Sequence, residues 1–79
     1  MREVTVAAVQ FACAPDPAVN VATAERLVRA AAAQGAQIVC LQELFETQYF
    51  CTREDPRTFD LARPFAGHPT VARFQELCR

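Results

Sequence analysis

The sequence predicts an α/β fold in β-α-β-α order, the front portion of a larger domain. Three observations lead to it. Two apolar runs rich in β-branched residues, Val4–Phe11 and Ile38–Leu41, read as buried strands. Between them lies one long helical pattern, and a connection of that length joins parallel strands by a right-handed crossover. A second helical pattern then runs up to Arg79, with no third strand to cover the open edges of a two-stranded sheet.

In the first strand Val4, Val6 and Ala8 face one side, and Thr5, Ala7, Val9 and Phe11 the other. Both faces are largely apolar, as expected of a strand covered on both sides. Gln10 ends the pattern, and Pro15 and Pro17 keep the next segment irregular. A helix is predicted from about Ala18 to Gln34, with Asp16 as N-cap and Pro17 at its first position. Val21, Ala24, Leu27, Val28 and Ala31 form its apolar stripe, and Glu25 with Arg29 makes a favourable i,i+4 pair on the solvated side. Gly35 supplies the left-handed residue that ends it. Residues Leu44–Pro56 mix aromatics with charges and read as a structured loop. Thr58–Pro64 reads as a short irregular or extended piece. Gly67-His68-Pro69 is a turn into a last helix, whose apolar positions are Val71, Phe74 and Leu77 or Cys78.

Composition narrows the function classes. A chain of 79 residues holds one small domain, and 52% hydrophobic residues exclude disorder as its main state. The formal net charge is −1, which argues against a nucleic-acid surface. No run is long enough for a membrane span, and no signal-peptide pattern opens the chain, so the expected location is cytoplasmic. Cys13, Cys40, Cys51 and Cys78 show no C-x-x-C spacing, and His68 is a lone histidine, so neither a metal site nor any other cofactor is expected. The cysteines read as small buried hydrophobes with free thiols. All eight basic residues are arginine; lysine is absent.

The chemistry concentrates in Ile38–Cys51, IVCLQELFETQYFC. Glu43 follows a buried parallel strand, and ligands of open α/β sheets sit outside the carboxyl ends of the strands. A carboxylate walled by apolar groups there is desolvated and titrates nearer neutrality, which suits a general base. The structural alternative is a helix cap or an arginine partner. The aromatics Phe45, Tyr49 and Phe50 could line a pocket at the sheet rim or cover a core edge. Glu46, three residues past Glu43, is the rival base, or a group that orients the base's neighbours or binds a cationic part of a substrate. Glu46, Tyr49 and Phe50 are the candidate lining residues.

These residues also resemble a known family. The V-Q-F ending of the first strand, Asn20 opening the first helix, the turn A-x-x-G-A-x-I, and the block ELFETQYFC at 43–51 are similar to the N-terminal part of the nitrilase superfamily of carbon–nitrogen hydrolases. Phe59-Asp60-Leu61-Ala62, Pro64 and Gly67 extend the likeness over nearly the whole chain. The resemblance implies a nitrilase-like α-β-β-α sandwich, of which residues 1–79 form the N-terminal β-α-β-α portion, and a Glu-Lys-Cys triad with Glu43 as base. It also implies a small-molecule N-carbamoyl amine substrate and a homo-oligomer at full length. The chain departs from the pattern in having no lysine, and neither Cys40 nor Cys51 matches the nucleophile. As a separate polypeptide it is expected to be inactive. The other reading is a non-catalytic remnant or interaction module.

Overall fold

The computed structural model describes residues 2–51 and 54–79; Thr52 and Arg53 of the expected loop lie outside the described residues. The elements are β1 (Val6–Val9), α1 (Pro17–Ala33), β2 (Ile38–Leu41), a 3-10 helix (Pro56–Leu61) and α2 (Pro69–Leu77). The chain divides into two compact units, residues 1–49 and 50–79.

In the first unit β1 and β2 pair in parallel, with Val6 opposite Ile38 and Val9 opposite Leu41. The ladder is shorter than the apolar run Val4–Phe11, because β2 offers only four residues to pair with. Helix α1 lies against both strands and covers one face. Ala7, Val9, Val39 and Leu41 are buried or half-buried on that face, whereas Val6, Ala8, Ile38 and Cys40 are exposed on the other. Val9 is 8% exposed and Val6 66%. The expectation of a sheet covered on both faces is therefore corrected: these residues supply a helical layer for one face.

The ends of α1 follow from its sequence. Asp16 Oδ1 accepts from the Ala18 N–H at 2.9 Å, and Pro17 gives up no hydrogen bond at the first helical position. At the other end Gly35 has φ +97°. That conformation lets the Gly35 N–H reach Ala32 O (2.9 Å) and the Ala36 N–H reach Ala31 O (3.1 Å), which satisfies carbonyls the helix leaves over. Glu25 and Arg29 pair at 3.3 Å as expected. Val21 and Ala24 of the apolar stripe are buried.

The second unit is built from local capping. Pro56–Leu61 is a 3-10 helix, so residues 58–61 are helical where the piece Thr58–Pro64 was expected to be irregular or extended. Asp55 accepts from the Arg57 N–H at 3.0 Å and also pairs with the Arg57 guanidinium at 2.8 Å. The Arg57 partner holds the Asp55 carboxyl below its ordinary range. Helix α2 begins at Pro69 as predicted, and His68 Nδ1 accepts from the Thr70 N–H at 3.2 Å.

The cysteines are corrected as well. Cys40, Cys51 and Cys78 are exposed and Cys13 is half-buried, and all four are free. Cys40 stands on the open face of the sheet, and Cys78 is the C-cap of α2. No helix among the described residues is long and apolar enough to cross a membrane, and no group of three metal-ligating side chains occurs among them.

Candidate active site

Because β1 and β2 are parallel, both chains leave the sheet at the same edge. Residues 10–14 and 42–46 meet there around a cleft of about 690 Å³ whose walls include Gln10, Cys13, Gln42, Glu43, Gln48 and Tyr49. Glu43 is the one carboxylate among its lining residues. This is the placement that the strand-helix-strand order predicted for Glu43, and Gln10, which ends the first strand pattern, shares it.

Polar bonds tie the two loops together. The Phe11 N–H donates to Gln42 Oε1 at 2.9 Å. Gln42 Nε2 reaches Cys13 Sγ at 3.4 Å and Leu44 O at 3.5 Å, so its amide spans both neighbours of Glu43 in the chain. The Cys13 thiol donates to Phe45 O at 3.4 Å, and Gln48 Nε2 donates to Cys13 O at 3.5 Å. From below, Asn20 of α1 bonds both loops: its Oδ1 accepts from the Ala14 N–H at 2.7 Å, and its Nδ2 donates to Ala14 O at 2.8 Å and Glu46 O at 2.9 Å. The thiol of Cys13 thus shares the cleft with Glu43 but serves as a loop tie.

The predicted residues separate on inspection. Glu43 and Tyr49 line the cleft. Glu46 joins the site through its backbone carbonyl, bonded to Asn20, and Phe50 belongs to the second unit. Glu43 is exposed, while Leu41, Leu44 and Phe45 beside it are half-buried. The apolar enclosure expected around Glu43 is therefore not built by these residues. Sequence reasoning gave no role to Gln42 or Gln48 and read Cys13 only as a small buried hydrophobe. For Gln42 the signal was a polar residue directly after a strand, which acquires meaning only once the strands are paired; Cys13 and Gln48 lie further along the loops and carried none.

A sheet edge that presents one carboxylate in an open cleft, with polar ties behind it, fits a hydrolytic site. The sequence profile of the carbon-nitrogen hydrolase family matches residues 5–79, and the chain belongs to that family. Within it the chain is 56% identical over 78 residues to an N-carbamoylputrescine amidase of Solanum tuberosum, covering 99% of this chain and 26% of that protein. It is 53% identical to the N-carbamoylputrescine amidase of Arabidopsis thaliana over 78 residues, with the same coverage. A citrullinase of Francisella tularensis subsp. tularensis is 34% identical over 77 residues, covering 98% of this chain and 27% of that protein. The chain thus spans about a quarter of the length of the curated relatives it matches.

Proposed function

We propose that residues 1–79 supply the general base of an amidohydrolase that converts N-carbamoylputrescine and water into putrescine, ammonia and CO₂. The observation that carries the reading is Glu43, the single carboxylate lining the cleft at the carboxyl edge of the parallel pair, in a chain 53–56% identical to N-carbamoylputrescine amidases. In this reading Glu43 takes the proton of a cysteine thiol as sulfur attacks the carbamoyl carbon and gives it to the amine nitrogen that departs as the C–N bond breaks. It then takes a proton from the water that cleaves the C–S bond of the acyl-enzyme, returning the thiol and releasing a carbamic acid that decomposes to CO₂ and the second amine. A lysine stabilises the tetrahedral oxyanion. This chain has no lysine, Cys40 lies within β2, and the thiol of Cys13 is engaged with Phe45 O. On this reading the lysine and the nucleophile are supplied by a part of the enzyme other than residues 1–79. In the same reading Tyr49 borders the substrate from the cleft wall, and Glu46, three residues after Glu43 in the sequence, is the candidate group for a cationic end of the substrate.

A second reading, hydrolysis of a ureido acid, is favoured by the likeness to citrullinase. The deciding experiment is ammonia release by the full-length protein that carries this segment, or by a chimera joining residues 1–79 to the remaining three-quarters of the Solanum tuberosum enzyme. Turnover of N-carbamoylputrescine well above that of citrulline is expected. The reverse order would transfer the assignment to ureido acids, and turnover of neither would leave the segment a non-catalytic one.

A further inference from the structure

We infer that Asn20 is a positioning residue for Glu43, acting through the two loops that it binds; the inference rests on the general-base reading of Glu43 above. Asn20 is 1% exposed and is the largest fully buried side chain of the described residues. It lies in the first turns of α1, a helix of 17 residues capped at both ends, so its own backbone is held. Its amide closes a two-way bond with one residue of the first loop, accepting from the Ala14 N–H at 2.7 Å and donating to Ala14 O at 2.8 Å. Its second amide proton goes to Glu46 O at 2.9 Å. Glu43 sits between two anchors: the ladder that ends at Leu41 and the Asn20 bond at Glu46. Gln42 closes the near side by bonding Leu44 O across Glu43.

A buried amide at this position needs an explanation that packing does not give. An apolar side chain would fill this space without an amide to desolvate, and burying an amide is unfavourable unless its hydrogen bonds are made. What the amide adds is direction. It fixes two loop backbones to one rigid helix, at the edge where a misplacement of about 1 Å can lower a rate about 10²-fold. Asn20 does not line the cleft, so it acts on the reaction through the backbone that carries Glu43.

The test is a double-mutant cycle in the full-length protein, or in the chimera described above, with N-carbamoylputrescine as probe. Asn20→Asp keeps the shape but removes both donors, and Asn20→Ser keeps one donor in a smaller side chain. For each, kcat should fall by roughly 10- to 10²-fold while KM stays within about twofold. In a Glu43→Gln background the same substitutions should lower kcat by no more than about twofold, because the group they aim is already gone. An equal loss in both backgrounds, with Glu43→Gln itself impaired, would overturn the positioning role alone. Near wild-type turnover by Glu43→Gln would overturn the general-base reading, and this inference with it. Failure of both Asn20 variants to fold would also overturn it, leaving Asn20 a part of the fold with no separable effect on the reaction.

Discussion

The two units of this chain are held in different ways. In the first, hydrogen bonds cross long stretches of sequence: Phe11 to Gln42, Cys13 to Phe45, Asn20 to Glu46. The buried residues Val9, Asn20, Val21 and Ala24 all belong to it. In the second, the bonds that start each helix reach two or three residues, as from Asp55 to Arg57 and Thr58 or from His68 to Thr70. None of its described residues is buried, and Phe59 is 81% exposed. The difference is one of purpose. A local cap stabilises a helix wherever the helix goes, whereas a bond between distant loops fixes a position in space, which the general-base role proposed for Glu43 requires.

If that contrast holds, substitutions in the first unit should reach the chemistry. Glu43→Gln keeps the shape and removes the proposed base, and on that reading kcat of the full-length protein should fall by about 10² or more while circular dichroism stays native. Glu46→Gln is the control. Near wild-type turnover by the Glu43 variant, with Glu46→Gln inactive, would move the base to Glu46.

A smaller effect separates the units by stability. Ala24 is 0% exposed, so Ala24→Leu overfills the interface of α1 with the sheet and should cost about 1–3 kcal/mol in urea unfolding. Phe59→Ala should stay within about 0.5 kcal/mol, the usual range for exposed sites. Equal losses at the two positions would erase the distinction between a packed and a locally capped unit.

The smallest effect is a pH dependence confined to the second unit. The folded Asp55 carboxyl is held below its ordinary value, first by the Arg57 side chain and then by the Arg57 N–H. Its contribution is therefore present above the ordinary carboxylate range and is lost as pH falls through the lowered folded value. The protection of the Arg57 and Thr58 amides, taken relative to the intrinsic exchange rate at each pH, should fall as pH drops through the lowered Asp55 value, and Asp55→Asn should abolish the dependence. The pair is exposed and screened, so global stability should hardly change.

The sheet, α1 and α2 were legible because their signals are local or periodic. Asp16-Pro17 and Pro69 mark helix starts and Gly35 a helix end, by rules that need no partner. The 3-10 helix at Pro56–Leu61 was missed although Asp55-Pro56 repeats the Asp16-Pro17 signal; no apolar period follows it to announce a helix. His68 was read as a turn residue, but it caps through its ring nitrogen. The position of Glu43 was legible from strand order, since parallel pairing decides which edge a residue occupies. Its surroundings were not. Which loop atoms Gln42, Asn20 and Cys13 bond depends on contacts 26 to 32 residues apart, and no local rule encodes those.

The two glutamines that flank β2 make it a ruler. At one end the Thr5 N–H donates to Gln37 Oε1 at 3.1 Å; at the other the Phe11 N–H donates to Gln42 Oε1. Both bonds are met only when four residues separate Gln37 from Gln42, matched by five between Thr5 and Phe11. An inserted or deleted residue within β2 would satisfy one glutamine and strand the other. It would also turn the remaining side chains to the opposite face, because a strand alternates. Length variation among relatives should therefore accumulate in the loops beyond Glu46, while the spacing from Gln37 to Glu43 stays constant.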